Sequence, residues 1–160
     1  METKDPRWLS DEEQRVWRRL AALVMYLPYE LDAQLQRDAE LTHFGYLVLA
    51  MLSESPDRRL RMSELAARTN ASLSRLSHMV SKFEERGWVS RCKSVDDGRG
   101  NVAMLTDEGL AKLVETAPGH VEAVQRLVFD VLSPAQVRQL EGICDAVLAG
   151  SAPEQRRTAS

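Results

Sequence analysis

The chain has 160 residues, 44% of them apolar, and a net charge of −3, enough for one packed domain or one domain with an appended helical module. No apolar run approaches the roughly 18 residues of a membrane span, and the charged start Met1-Glu2-Thr3-Lys4-Asp5 lacks the apolar stretch of a secretory signal. Cys92 and Cys144 form neither a C-x-x-C pair nor a disulfide framework, so the expectation is a soluble cytoplasmic protein with two reduced structural thiols.

Ser10-Asp11-Glu12-Glu13 reads as a capping box that opens a long helix. Val16, Leu20, Leu23, Val24, Leu27, Leu31 and Leu35 recur behind it at helical spacing, and Pro28 predicts a kink because it removes a donor and crowds the preceding turn. Thr42 caps a second helix with the stripe Phe44, Leu47, Val48, Met51 and Leu52, ended by Ser55-Pro56-Asp57. Arg59-Leu60-Arg61-Met62 alternates as a brief strand. Ser63 with Glu64 opens a short helix to Thr69, Asn70-Ala71 turns, and Ser72 caps a helix that runs to Arg86 and stops at Gly87. Strands near Trp88–Ser94 and Asn101–Leu105, around the tip Asp96-Asp97-Gly98-Arg99-Gly100, make a β-hairpin. Thr106 caps the next helix, with Asp107 and Glu108 where the helix dipole favours them, and Pro118-Gly119 predicts a kink or a break in it. Ser133-Pro134 starts the last helix.

Strand, helix, turn, helix and hairpin in that order form a winged helix-turn-helix, so the expected fold is mainly α with a small β-hairpin wing. On the helix after Ser72, the residues Leu73, Leu76, Val80 and Phe83 share one face. The opposite face carries Ser74, Arg75, His78, Ser81 and Lys82, with Ser77 at its edge and no acid until Glu84 and Glu85 at the far end. Ordinary surface helices mix charge signs; a donor-rich face without carboxylates suits a groove lined with base acceptors and phosphates. Residues 58–101 hold ten basic against five acidic side chains, a net of +5, while the remainder holds eleven against nineteen, a net of −8. Such a basic centre is a footprint for a polyanion. Arg99, between Gly98 and Gly100, is placed to enter a narrow minor groove. Taken singly, each feature also fits a solvated face or a solvated turn.

Residues 60–109 resemble the MarR family of bacterial winged helix-turn-helix regulators. Leu65-Ala66, Leu73-Ser74-Arg75-Leu76, Val80, and Phe83-Glu84-Glu85-Arg86-Gly87-Trp88-Val89 with Arg91 look like that family's recognition helix and first wing strand. Asp97-Gly98-Arg99-Gly100-Asn101 followed by Leu105-Thr106-Asp107-Glu108-Gly109 matches its D-x-R…L-T-x-x-G wing signature. The resemblance implies a homodimeric repressor on a pseudo-palindromic double-stranded DNA operator, nucleoid-associated in a bacterial cytoplasm and released by a small-molecule ligand. It places Arg99 in the minor groove, Asp97 as a support of the wing, and Ser72, Ser77 and His78 against the major groove or its phosphates. It also divides the chain into an N-terminal dimerisation helix over 10–41, a DNA-binding domain over 42–106 and C-terminal dimerisation helices over 107–150, with 1–9 and 151–160 disordered. An aromatic or phenolic carboxylate is the implied effector, for which Trp17, Tyr26, Tyr29, His43 and Phe44 are the candidate lining; core packing is their other reading. A redox-sensing branch of the family carries an early cysteine, and none precedes Cys92 here, so thiol sensing is not expected.

No P-loop, H-E-x-x-H, G-x-S-x-G or Rossmann glycine pattern is present, and His43, His78 and His120 are scattered in sequence. No enzyme, metal or cofactor is expected. The alternative function is a winged-helix module for protein contacts, which needs neither the acid-free helix face nor Arg99.

Overall fold

The structure is a computed structural model and describes residues 6–93 and 101–150. Its helices are α1 (Asp11–Ala39), α2 (His43–Ser53), α3 (Met62–Arg68), α4 (Leu73–Glu85), α5 (Asp107–Val124) and α6 (Pro134–Gly150). Its strands are β1 (Arg59–Arg61), β2 (Val89–Lys93) and β3 (Asn101–Leu105). A boundary between His120 and Val121 divides the described residues into two compact units.

The helix starts follow the capping chemistry. Ser10 Oγ accepts from the Glu13 amide while the Glu13 carboxylate accepts from the Ser10 amide, closing the capping box. Thr42 Oγ1 accepts from Gly45 N and Ser72 Oγ from Arg75 N. Ser133 and Gln136 make a reciprocal box at α6. Ser63 does not cap α3. That helix begins a residue earlier, at Met62, because the chain leaves β1 directly into helical geometry and Arg61 takes the cap position without a side-chain bond. Pro28 lies inside an unbroken α1: one missing donor does not end a helix of 29 residues that propagates on both sides. Pro118 and Gly119 likewise lie inside α5, and the irregularity falls beyond it, as a π-helical turn over Gln125–Phe129.

The three strands pair antiparallel in the order β1-β3-β2, so β3 is central. Leu60 pairs with Ala103, and Arg91 with Ala103 from the other side. Alternation puts Ala103 and Leu105 of β3 inward, as it does Leu60 between two exposed arginines. The core is built on α2, whose Val48, Leu49 and Leu52 are fully buried, and closes with Leu35, Leu65, Leu76, Val80, Phe83 and Val89. Each large side chain taken from water contributes about 1.5–3 kcal/mol. Leu73 does not join this face: it is 56% exposed, because it is the first residue of α4 and lies a turn outside the packed stretch.

The root of the hairpin is clamped. Gly87 adopts φ 72°, a left-handed conformation that a side chain disfavours, and lets the chain turn out of α4. Trp88 N then donates to Phe83 O, and Thr106 N donates to Trp88 O. The Thr106 hydroxyl donates to Gly87 O at 2.6 Å and accepts from Gly109 N at 3.0 Å. The start of β2, the end of β3 and the start of α5 therefore meet at one point.

Candidate nucleic-acid interface

α4 presents its polar face outward. Ser72, Ser74, Arg75, His78 and Lys82 are exposed, while Ser77 and Ser81 are half-buried. Leu76, Val80 and Phe83 hold the opposite side against the core, so the helix is anchored and its outer face is free for a partner. α3 packs ahead of it, and the turn between them passes through Asn70 in left-handed geometry. Asp97 and Arg99 lie outside the described residues.

Two of these side chains have company that the helical wheel does not reveal. The Arg75 guanidinium lies 4.1 Å from the ring centroid of Phe44, a cation–π contact across to α2. Ser81 Oγ accepts from Arg91 of β2 at 2.7 Å, and Ser77 takes a bond from the same group through its carbonyl. Several basic residues of the central segment are likewise engaged with acids: Arg58 with Asp107 at 2.8 Å, Arg68 with Glu64 at 2.7 Å and Arg91 with Glu84 at 3.2 Å. Glu64 and Glu84 are already counted in the net of +5 for residues 58–101, whereas Asp107 lies outside that segment and lowers it by one.

Beside the helix, a cleft of about 570 Å³ is lined by Tyr29 and Asp32 of α1, His43 and Phe44 of α2, and Arg75 and His78 of α4, among others. Its size suits a small organic ligand. Tyr29, His43 and Phe44, candidate effector residues from sequence, thus meet Arg75 and His78, candidate DNA residues. Trp17 does not reach it: it lies with Val16 and Leu20 on the exposed N-terminal part of α1. Tyr26 is also absent from the lining and is exposed. Tyr26 sits about one turn, and Trp17 about four turns, N-terminal to the stretch where α1 is buried at Leu31 and Leu35.

Sequence reasoning missed a histidine pair. His43 and His120 are far apart in the chain, yet their rings lie 5.9 Å apart, with Tyr46 4.2 Å from His120. The buried Nδ1 of His120 meets no hydrogen-bond partner among the described residues. Among those residues no three His, Cys, Asp or Glu side chains converge as a metal site. Burial pushes both imidazoles below the ordinary value of 6.5; Asp32 opposes the shift at His43, and His43 adds to it at His120. A folded state that resists protonation loses stability as pH falls through the unfolded value and on toward the folded one, because the unfolded chain takes up the protons. The melting temperature should therefore fall as pH drops below about 6.5, and His120→Phe should flatten that fall. An unchanged pH slope in the variant would place the proton uptake elsewhere.

The fold and the helix face define a winged helix-turn-helix protein with a donor-rich recognition helix. A family model described as MarR family matches residues 46–100. The transcriptional repressor Rv2887 of Mycobacterium tuberculosis is 32% identical over 123 residues, 72% of this chain and 86% of that protein. The repressor YetL of Bacillus subtilis is 30% identical over 88 residues, and the match spans about half of it, 53%. The crystal structure of Sco3205, a MarR family regulator from Streptomyces coelicolor in complex with DNA, superposes with a TM-score of 0.90 at 48% identity, covering 96% of both chains. The chain belongs to the MarR family: it is a DNA-binding transcriptional regulator, and neither an enzyme nor a module for protein contacts alone. Among the described residues no helix is long and apolar enough to cross a membrane.

Proposed function

We propose that the chain works as a homodimeric repressor in the bacterial cytoplasm, at the nucleoid, and binds a pseudo-palindromic operator through α4 and the hairpin. An aromatic or phenolic carboxylate in the cleft would release it. The observation that carries the DNA reading is the exposed face of α4, with Ser72, Ser74, Arg75, His78 and Lys82 and no carboxylate before Glu84 and Glu85 at its far end. Ser77 and Ser81 stand at its margin, and Asp97 and Arg99, outside the described residues, are assigned to the same function from the sequence alone. Sco3205, the DNA-bound neighbour at 48% identity, supports the same use of the fold.

Dimerisation through 10–41 and 107–150, around a DNA-binding domain over 42–106, has its support in exposed apolar side chains. Trp17, Leu20 and Val24 on α1, and separately Val131, Ile143 and Leu148 in the second unit, are solvent-exposed in the single chain. Apolar surface on that scale marks an interface, and a closed homodimer is the usual solution. The effector reading rests on the cleft: Phe44 and Tyr29 offer ring surface, and Arg75 and His78 offer donors to a carboxylate.

The test is selection of duplexes from a random-sequence pool, followed by titration of the winner. A consensus of two half-sites about 10 bp apart is expected, with affinity that falls steeply as salt rises. Salicylate, as the probe acid, should weaken binding by the wild type and fail to do so with Phe44→Ala. Failure to enrich any sequence would overturn the DNA reading; release by salicylate that survives Phe44→Ala would overturn the cleft as the effector site.

A further inference from the structure

Arg91 lies on β2 two residues after the buried Val89, on the strand face turned to α4. Its Nη2 donates to Ser77 O and to Ser81 Oγ, both at 2.7 Å, while its Nε lies 3.2 Å from Glu84 Oε2. Ser77, Ser81 and Glu84 are spaced i, i+4 and i+7, one stripe along α4. Two hydrogen bonds from Nη2 thus hold one turn of the helix, about 6 Å, and the ion pair to Glu84, in which Nε makes no hydrogen bond, extends the attachment by a further turn. The two elements screen it, leaving 26% of the arginine side chain and 34% of that of Glu84 exposed.

Cohesion is supplied elsewhere. Val80, Phe83 and Val89 already bring α4 and β2 into one core, and a half-exposed ion pair adds little stability by itself. What several attachments along one helix stripe add is direction: β2 can neither slide along α4 nor swing away from it without breaking a bond. Arg91 stands opposite Ala103, in the three-stranded part of the sheet, so the grip is transmitted to β3 as well.

We infer that Arg91 is a positioning residue for DNA recognition, which sets the angle between the recognition helix and the hairpin and so the register in which the two meet the duplex. This rests on the reading of α4 and the hairpin as the DNA-contacting elements. Ser81 is then a brace point in place of a base reader, and the Arg91 charge is directed at Glu84 in place of a phosphate.

The test uses full-length Arg91→Gln, Arg91→Lys and Ser81→Ala with two duplexes: the sequence that wild type selects from a random pool, and a scrambled duplex of the same length. Arg91→Gln should lose about tenfold or more on the selected duplex and less than about twofold on the scrambled one, leaving the salt dependence on the scrambled duplex intact. Arg91→Lys should restore part of the ratio, because an ammonium can reach Ser81 and Glu84 without the fork geometry, and Ser81→Ala should show a smaller loss of the same kind. Equal weakening on both duplexes, with a salt slope reduced by about one per subunit, would mean that Arg91 touches phosphate and would overturn the inference. Wild-type affinities with an unchanged melting temperature would overturn it as well. Should Arg91→Gln fail to fold, Ser81→Ala decides beside Arg91→Lys: a lowered specificity ratio that the double variant does not lower much further supports the brace, and an unchanged ratio or fully additive losses refute it. A wild-type protein that selects no duplex defeats the DNA reading itself and this inference with it, a result told apart from every variant outcome.

Discussion

Gly109→Ala should destabilise the protein by on the order of 3 kcal/mol or more, lowering the melting temperature by roughly 6–12 °C. A methyl group there would overlap the carbonyl oxygen of Trp88 and lie 2.9 Å from its carbonyl carbon and 2.7 Å from Leu105 Cδ1. The obstacle is largely backbone, and that backbone is pinned, since Trp88 O accepts from Thr106 N. Relief requires moving either the hairpin root or the first turn of α5. Gly142→Ala in α6 is the control, because nothing lies within 4 Å of the added carbon. It should be neutral or stabilising by up to about 1 kcal/mol. Thermal or urea melts on both variants check the pair; equal behaviour would show that α5 and the hairpin root yield freely.

The second large effect is expected on DNA affinity. Arg99→Ala should remove a minor-groove contact at each outer edge of the operator, and a dimer loses it twice. The total loss is on the order of 2–4 kcal/mol if each contact contributes about 1–2 kcal/mol. Sequence preference should change at the flanks, whereas His78→Ala should relax it inside the half-sites. Binding-site selection on each variant, beside thermal melts, separates the two. If Arg99→Ala binds as tightly as wild type with the same salt slope, the hairpin arginine does not touch DNA.

Local chemistry made much of the fold readable. Ser10, Thr42, Ser72, Thr106 and Ser133 each announce a helix through a side-chain oxygen placed before a periodic stretch, and each helix begins there. Gly87 announces the exit from α4 in the same way. Ser63 gave the same signal falsely, because a strand leading straight into a helix leaves no room for a cap. Periodicity identified α1 as apolar but not what covers it: the stripe reads alike where this chain buries it, at Leu31 and Leu35, and where it stays exposed, at Val16 and Leu20.

The site was legible where one helix carries it, and illegible where distant segments meet. Ser74, Arg75, His78 and Lys82 follow from the wheel of α4 alone. That Arg75 leans on Phe44, that Arg91 occupies Ser81, and that His43 faces His120 each depends on how separate elements dock. No spacing rule within one element encodes them. The same holds for the cleft, where Tyr29 and Phe44 take part and Tyr26 does not, although all three are aromatic.

The strand order has a mechanical meaning. β3 bonds to both neighbours over Val102–Met104, but Asn101 pairs only with Lys93. The hairpin is a cantilever, with its fixed end in the three-stranded part and the pair Lys93↔Asn101 beyond it. Displacement at the end of a beam is the rotation at its root multiplied by the length of the arm. Stiffness is therefore worth most where the beam enters its mount, at Cys92↔Val102, and the pair Arg91↔Ala103 stands one pair inside it. A bond made close to that mount, as Arg91 makes to Ser77 and Ser81, works against the rotation at its source.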